Sequence, residues 1–136
     1  MRYLLDTCTV SALARPNPPE PLLTRLRRNE GHYALAAMVL SELRYGAQRH
    51  PDPVRRERLN AFVNQVASSA PVLPFDARAA EWLGAERARI EAMGRVVDLA
   101  DLVIASTAAA NQLVVVTSNL RHFEGLRVEA EDWLVG

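Results

Sequence analysis

The strongest constraint on this chain is the alternation of brief apolar runs with longer helical patterns. Tyr3-Leu4-Leu5, Tyr33-Ala34-Leu35-Ala36, Val72-Leu73 and Leu113-Val114-Val115-Val116 are each too short for a helix, and all but the second are bounded on both sides by polar residues or prolines. Between them the apolar spacing changes to three and four, as in Val39, Leu43 and Ala47, or Leu59, Phe62, Val63 and Val66. Strands separated by helices pair in parallel through right-handed crossovers, with helices covering both sheet faces. The pattern predicts a three-layer α/β/α domain with a central parallel sheet of four or five strands. Leu113–Val116, apolar on both faces, belongs inside that sheet. Val72-Leu73, between Pro71 and Pro74, belongs at or near an edge. A last short strand is expected around Val128.

The helical segments carry recognisable ends. Asp76 can cap a long helix through Trp82, Leu83 and Ile90 that stops at Gly94. Asp98 is placed to cap the next helix, with Asp101 in its first turn, where the positive end of the helix dipole favours acids. The stretch Pro16 to Pro21 is a stiff loop, too short to separate domains. Residues 38–67 read as a helical hairpin broken at Pro51-Asp52-Pro53. At 136 residues a single domain, 1–136, is the expectation.

Composition narrows the functions further. Sixteen basic residues balance sixteen acidic ones, and all sixteen are arginine. That balance excludes a uniformly basic nucleic-acid coat protein, and the absence of lysine excludes Schiff-base chemistry and a phosphate-loop lysine. The single cysteine, Cys8, forms no intrachain disulfide and reads as a small packed side chain. Asp6 interrupts the amino-terminal apolar run too early for a signal peptide, and no stretch is long enough to span a membrane. A cytoplasmic location is the expectation.

Topology then places the acids. A helix that follows a parallel strand begins at the carboxyl edge of the sheet, and a helix that leads into one begins there too. Asp6 ends the first strand, Glu42 lies one turn into the helix after the second, and Asp101 opens the helix that leads into Leu113–Val116. Thr117, Ser118 and Asn119 leave that last strand at the same edge, where open α/β sheets bind ligands. Three carboxylates gathered there repel one another and call for a cation. An all-oxygen donor set suits Mg²⁺ or Mn²⁺, which could activate water for phosphoryl chemistry. Taken singly, each acid reads equally well as a helix-start residue.

At these positions the chain resembles a known family. Leu4-Leu5-Asp6-Thr7, Ser41-Glu42-Leu43-Arg44-Tyr45-Gly46, Asp101-Leu102-Val103-Ile104-Ala105 and Val116-Thr117-Ser118-Asn119-Leu120-Arg121-His122-Phe123 are similar, in order, to the motifs of PIN-domain nucleases. The second and fourth point within that superfamily to VapC-type toxins of toxin–antitoxin pairs. The resemblance implies a Mg²⁺- or Mn²⁺-dependent endoribonuclease whose acids map onto Asp6, Glu42 and Asp101, with Thr117 and Asn119 completing the catalytic set. It also implies a small VapB-like antitoxin and a homodimer, and the surplus of apolar residues in the hairpin 38–67 (Leu43, Tyr45, Leu59, Phe62, Val63) predicts that part of it supplies the contacts. Many PIN domains carry a fourth acid where this chain has Asn119, so one or two metal sites remain open at this stage. Thr7 and arginines 44, 55 and 56 are the candidates for touching RNA, although a solvated helix face accounts for the arginines as well. His32, His50 and His122 show no metal spacing. A phosphoacceptor receiver domain is excluded by the missing lysine. A non-catalytic RNA- or protein-binding module of the same fold and a DNA-directed nuclease are the readings that stay open.

Overall fold

The computed structural model describes all 136 residues. The strands are β1 (Tyr3–Leu5), β2 (Tyr33–Ala36), β3 (Val72–Leu73), β4 (Val114–Val116) and β5 (Ala130–Glu131). Between them run α1 (Thr7–Ala12), α2 (Glu20–Arg28), α3 (Ala37–Gln48), α4 (Pro53–Ser69), α5 (Ala77–Ala92), α6 (Leu99–Ala110) and α7 (Leu120–Phe123). All pairings are parallel and the strand order is β3-β2-β1-β4-β5. The chain steps from β1 outward to β3, then crosses back to β4 and β5. Because crossovers are right-handed, this reversal puts the later helices on the opposite face from the earlier ones.

Two expectations are corrected. The last strand lies at Ala130–Glu131 rather than around Val128, and Leu113 precedes β4 instead of starting it. The reason lies in the connection. Leu113 N–H closes the end of α6 by donating to Ala108 O (2.9 Å), so the ladder begins one residue later. Helix α7, four residues long, has too few turns to show a periodicity and was not foreseen.

The core is sorted by strand register. Leu5, Tyr33 and Leu35 meet Val10, Leu13, Leu26 and Val66 from α1, α2 and α4. Helix α6 is buried all round from Leu102 to Ala108, as expected for a helix that is apolar on every side. Trp133 is almost wholly buried edge-on to Tyr3, with centroids 4.8 Å apart, and its Nε1–H donates to Glu131 Oε1 (2.7 Å). Arg25 fastens this carboxyl-terminal segment to α2 by donating to the carbonyls of Asp132 (2.7 Å) and Val135 (3.0 Å).

Candidate active site

Asp6 sits where β1 becomes α1. Its N–H still belongs to the sheet, donating to Val116 O (2.9 Å), so the residue is pinned beside β4 before the chain turns. Its side chain is 5 % exposed and every oxygen is engaged. Oδ1 caps α1 by accepting from Thr7 N–H (2.7 Å), while Oδ2 accepts from the Thr117 hydroxyl (2.9 Å) and from the Cys8 thiol (3.4 Å). Thr117 is itself buried and takes the backbone N–H of Asn119 (2.9 Å). A fixed chain of hydrogen bonds therefore runs from the first strand to the turn after the fourth, as buried polar groups require.

Glu42 joins the same edge from α3. The Thr7 hydroxyl donates to Glu42 Oε1 (2.6 Å), tying the first turn of α1 to α3. Asp101 occupies the first turn of α6, which Asp98 caps by accepting from Ala100 N–H (2.9 Å). The Asp101 carboxyl is pushed up to about 6, first by burial and then by the negative charge of Asp6. Asp98 and Glu42 push it the same way, and only His122 opposes them. The three acids inferred from topology thus share one edge closely enough for their charges to be felt at Asp101. No three His, Cys, Asp or Glu side chains are arranged to hold a metal ion by themselves. Asp6 and Glu42 instead take hydrogen bonds from neighbouring hydroxyl and backbone groups.

Two residues at this site went unassigned in the sequence. His122 Nδ1 lies 3.1 Å from Asp101 Oδ2. It is carried there by α7, and no pattern announced a helix of one turn. Cys8 Sγ lies 3.3 Å from the Thr117 hydroxyl and accepts from Ser118 N–H (3.3 Å), so it helps hold the β4–α7 turn against α1. Its position two residues after Asp6 was the available signal.

The arginines of the hairpin are placed differently from the acids. Arg44 spans α3 and α4, donating to Asn60 Oδ1 (2.8 Å) and Asn64 Oδ1 (2.6 Å). Arg56 donates to His50 O (3.1 Å), and Arg49 stacks over Tyr45. Arg55 is exposed on α4. Arg44→Ala should therefore loosen the hairpin by about 1 kcal/mol, the usual worth of such bonds, while leaving the salt dependence of RNA binding unchanged. Chemical denaturation and a salt titration of binding would check both halves. Of the apolar hairpin residues, Leu43 and Val63 enter the core. Leu59 and Phe62 are half-buried along a groove floored by Thr7, Ser11 and Gly46, and Tyr45 is 67 % exposed.

The chain matches the PIN domain model over residues 3–127. It is 37 % identical over 136 residues to the tRNA(fMet)-specific endonuclease VapC of Salmonella typhimurium, covering 98 % of each chain. It is 35 % identical, over the same share of both chains, to the protein of that name from Shigella flexneri. Among solved structures it superposes on the DNA-bound VapBC of Salmonella typhimurium with a TM-score of 0.87 and 34 % identity, again over 98 % of each chain. With the motif order, the sheet topology and the edge-clustered acids in agreement with these likenesses, the chain belongs to the PIN-domain family and, within it, to the VapC proteins.

Proposed function

We propose that this chain is the toxin of a toxin–antitoxin pair, an endoribonuclease that hydrolyses RNA phosphodiester bonds with the help of Mg²⁺ or Mn²⁺. The observation that carries the reading is the charge crowding at Asp101, whose carboxyl is raised to about 6 by burial and by acids from two other segments of the chain. Such crowding at a ligand-binding edge is the signature of a functional carboxylate group. The relatives carry endonuclease names, and the solved relative is a VapBC complex, which supports RNA as substrate and a VapB-like antitoxin as partner. The whole chain, 1–136, acts as one domain. Its exposed Tyr45 and half-buried Leu59 and Phe62 make the hairpin 38–67 the surface for a second copy or the antitoxin. No helix is long and apolar enough to cross a membrane. A cytoplasmic site of action fits a substrate that is cellular RNA.

PIN-domain nucleases generally use a divalent cation, and the donor chemistry here, all carboxylate oxygen, suits one even though the three acids are not drawn around a common point. Asp6, Glu42 and Asp101 would hold it through hard oxygen ligands. When bound, such a cation lowers the pKa of water and neutralises charge that develops on a phosphoryl oxygen. The chain's own groups orient the site. Thr117 fixes the rotamer of Asp6, Thr7 fixes that of Glu42, and His122 holds one oxygen of Asp101. Asn119 caps nothing with its side chain and is exposed at the same edge, free to donate to a phosphate oxygen.

The test is cleavage of RNA with and without divalent cation. Wild-type protein is expected to cut RNA with Mg²⁺ or Mn²⁺ and to stop on chelation. Glu42→Gln is expected to bind RNA at least as well while losing at least about a hundredfold in cleavage, since the loss of a direct ligand should exceed the roughly ten- to hundredfold cost of disturbing a supporting group. Cleavage of DNA but not RNA would favour the DNA-directed alternative, and tight RNA binding without cleavage would favour a binding module.

A further inference from the structure

Beside Asp101 lies a cavity of about 280 Å³ that the carboxylates do not account for. That volume is close to the lower end for small-ligand sites. It is lined by Arg95, Val96, Val97, Asp98, Asp101, Arg121 and His122. Arg95 is set by the end of α5. Gly94, at φ +79, turns the chain, its N–H donating to Glu91 O (2.9 Å) and that of Arg95 to Ile90 O (3.0 Å). This is the paired closure of a helix by a left-handed glycine. Arg95 then reaches α7, donating through Nη2 to Arg121 O (3.2 Å). Arg121 is exposed and takes part in no ion pair.

The hairpin arginines differ from Arg121 in what they adjoin: Arg55 is exposed as Arg121 is, but only Arg121 shares a cavity with Asp101. Arg44 and Arg56 are occupied inside the protein, whereas Arg121 stands free on the wall of a concave site that opens onto Asp101. A guanidinium so placed is suited to a phosphate, which it can meet with two parallel donors. We propose that Arg121, supported by Arg95, forms a subsite for one backbone phosphate of the RNA strand next to the phosphate being cut. The inference rests on the nuclease reading above. Asp101 and Asp98 line the same cavity, and their negative charge disfavours a free anion there, which suits a phosphate carried on a strand that is also held elsewhere.

The experiment uses wild-type protein, Arg121→Gln and Arg55→Gln on one RNA and on a set in which single phosphates flanking the cut are replaced by uncharged methylphosphonates. Arg121→Gln is expected to raise KM about five- to tenfold with kcat unchanged, because uniform binding energy is lost. The salt slope of binding should fall by about 0.7, the value for one single-strand phosphate. One methylphosphonate should cost wild type the same factor and cost Arg121→Gln nothing. Arg55→Gln should stay sensitive to that substitution. If Arg121→Gln matches wild type, loses kcat at unchanged KM, or remains sensitive at every position, the subsite is refuted. If wild type cuts no RNA with either cation, it is the nuclease reading that fails. Arg121 has an exposed side chain with no partner, so loss of fold does not confuse the result, and circular dichroism of the variant checks this.

Discussion

Asp101→Asn is expected to lower RNA cleavage by about a thousandfold or more, equivalent to roughly 4 kcal/mol in the barrier, and yet to leave a folded protein that is more stable without metal than its parent. The sign follows from the raised carboxyl. The folded chain holds the Asp101 proton up to about pH 6, whereas an unperturbed aspartate gives it up near 3.8. Between those values the folded state binds more protons than the unfolded one, so stability falls as pH rises through the window and stays lower above it. Asparagine carries no charge to be repelled by Asp6, Asp98 and Glu42. Its advantage over aspartate should therefore grow from pH 4 to pH 7 in chelator, and divalent cation should stabilise the parent more than the variant. Asp6→Asn should abolish cleavage to the same degree with a smaller gain in stability, because it relieves the same repulsion toward Asp101 but weakens the hydrogen bonds around position 6. Asn can still cap Thr7, but its amide group meets the Thr117 hydroxyl where a carboxylate oxygen accepted, a loss of about 1 kcal/mol. Denaturant midpoints across pH, with cleavage assays on the same preparations, test the pair. Normal cleavage by either variant removes that acid from the catalytic set.

The second large effect is on the fold and concerns a residue with no part in the chemistry. Glu86 on α5 is 3 % exposed and paired with Arg89 by two bonds, from Nε to Oε1 (2.7 Å) and from Nη2 to Oε2 (2.9 Å). Its Oε2 also accepts the N–H of Arg127 (2.6 Å), and Arg89 donates to Gly125 O (2.8 Å). The pair clamps the turn between α7 and β5 to α5. Hydrogen bonds from Arg89 hold the Glu86 carboxyl below its ordinary value, outweighing its burial. Glu86→Ala leaves the Arg127 N–H without a partner and strips the half-buried Arg89 guanidinium of its carboxylate, leaving it the Gly125 carbonyl and the Met93 sulfur, a cost of about 3 kcal/mol. Because the folded pKa is depressed, this stability is present above pH 4.5, the unperturbed value, and is lost as pH falls through the folded pKa. Wild type and variant should converge in strongly acidic solution. A gap that stays constant below pH 4 would show that the carboxylate charge is not what holds the turn.

These two residues also mark how far the sequence could be read. Asp101 was legible because parallel connectivity alone sends the start of its helix to the carboxyl edge, whatever the packing. The same logic delivered the placement of Asp6, Glu42 and Thr117, and β1, β3 and β4 were legible as short apolar runs between polar residues or prolines, whereas β2 passes straight into the apolar start of α3. Glu86 was not legible. Nothing in Glu86-Arg87-Ala88-Arg89 distinguishes a buried clamp from an exposed helix pair, and Arg87 with Glu91, four residues apart where Glu86 and Arg89 are three, is such an exposed pair. The turn it holds fixes α7 and the two-residue β5, so the position of His122 and Arg121 depends on a tertiary contact that no local pattern encodes. Arg44 shows the converse. A cluster of arginines suggested an RNA surface, but two asparagines on α4, sixteen and twenty residues away in sequence, take up its donors.

Encasement of α6 has a consequence for how a protein of this kind can diversify. From Leu102 to Ala108 every side chain of that helix is packed, so almost any replacement there alters the core, and the carboxylate at its start is carried on the least adjustable part of the molecule. Arg121 and His122 ride on a single turn at the surface, fastened through one clamp and one arginine. Replacement of Arg121, whose side chain is exposed, leaves the interior untouched, whereas Phe123 in the same turn is part of the core. The grip on the strand proposed for Arg121 and the retention of the acid at the head of α6 are thereby set by separate tolerances.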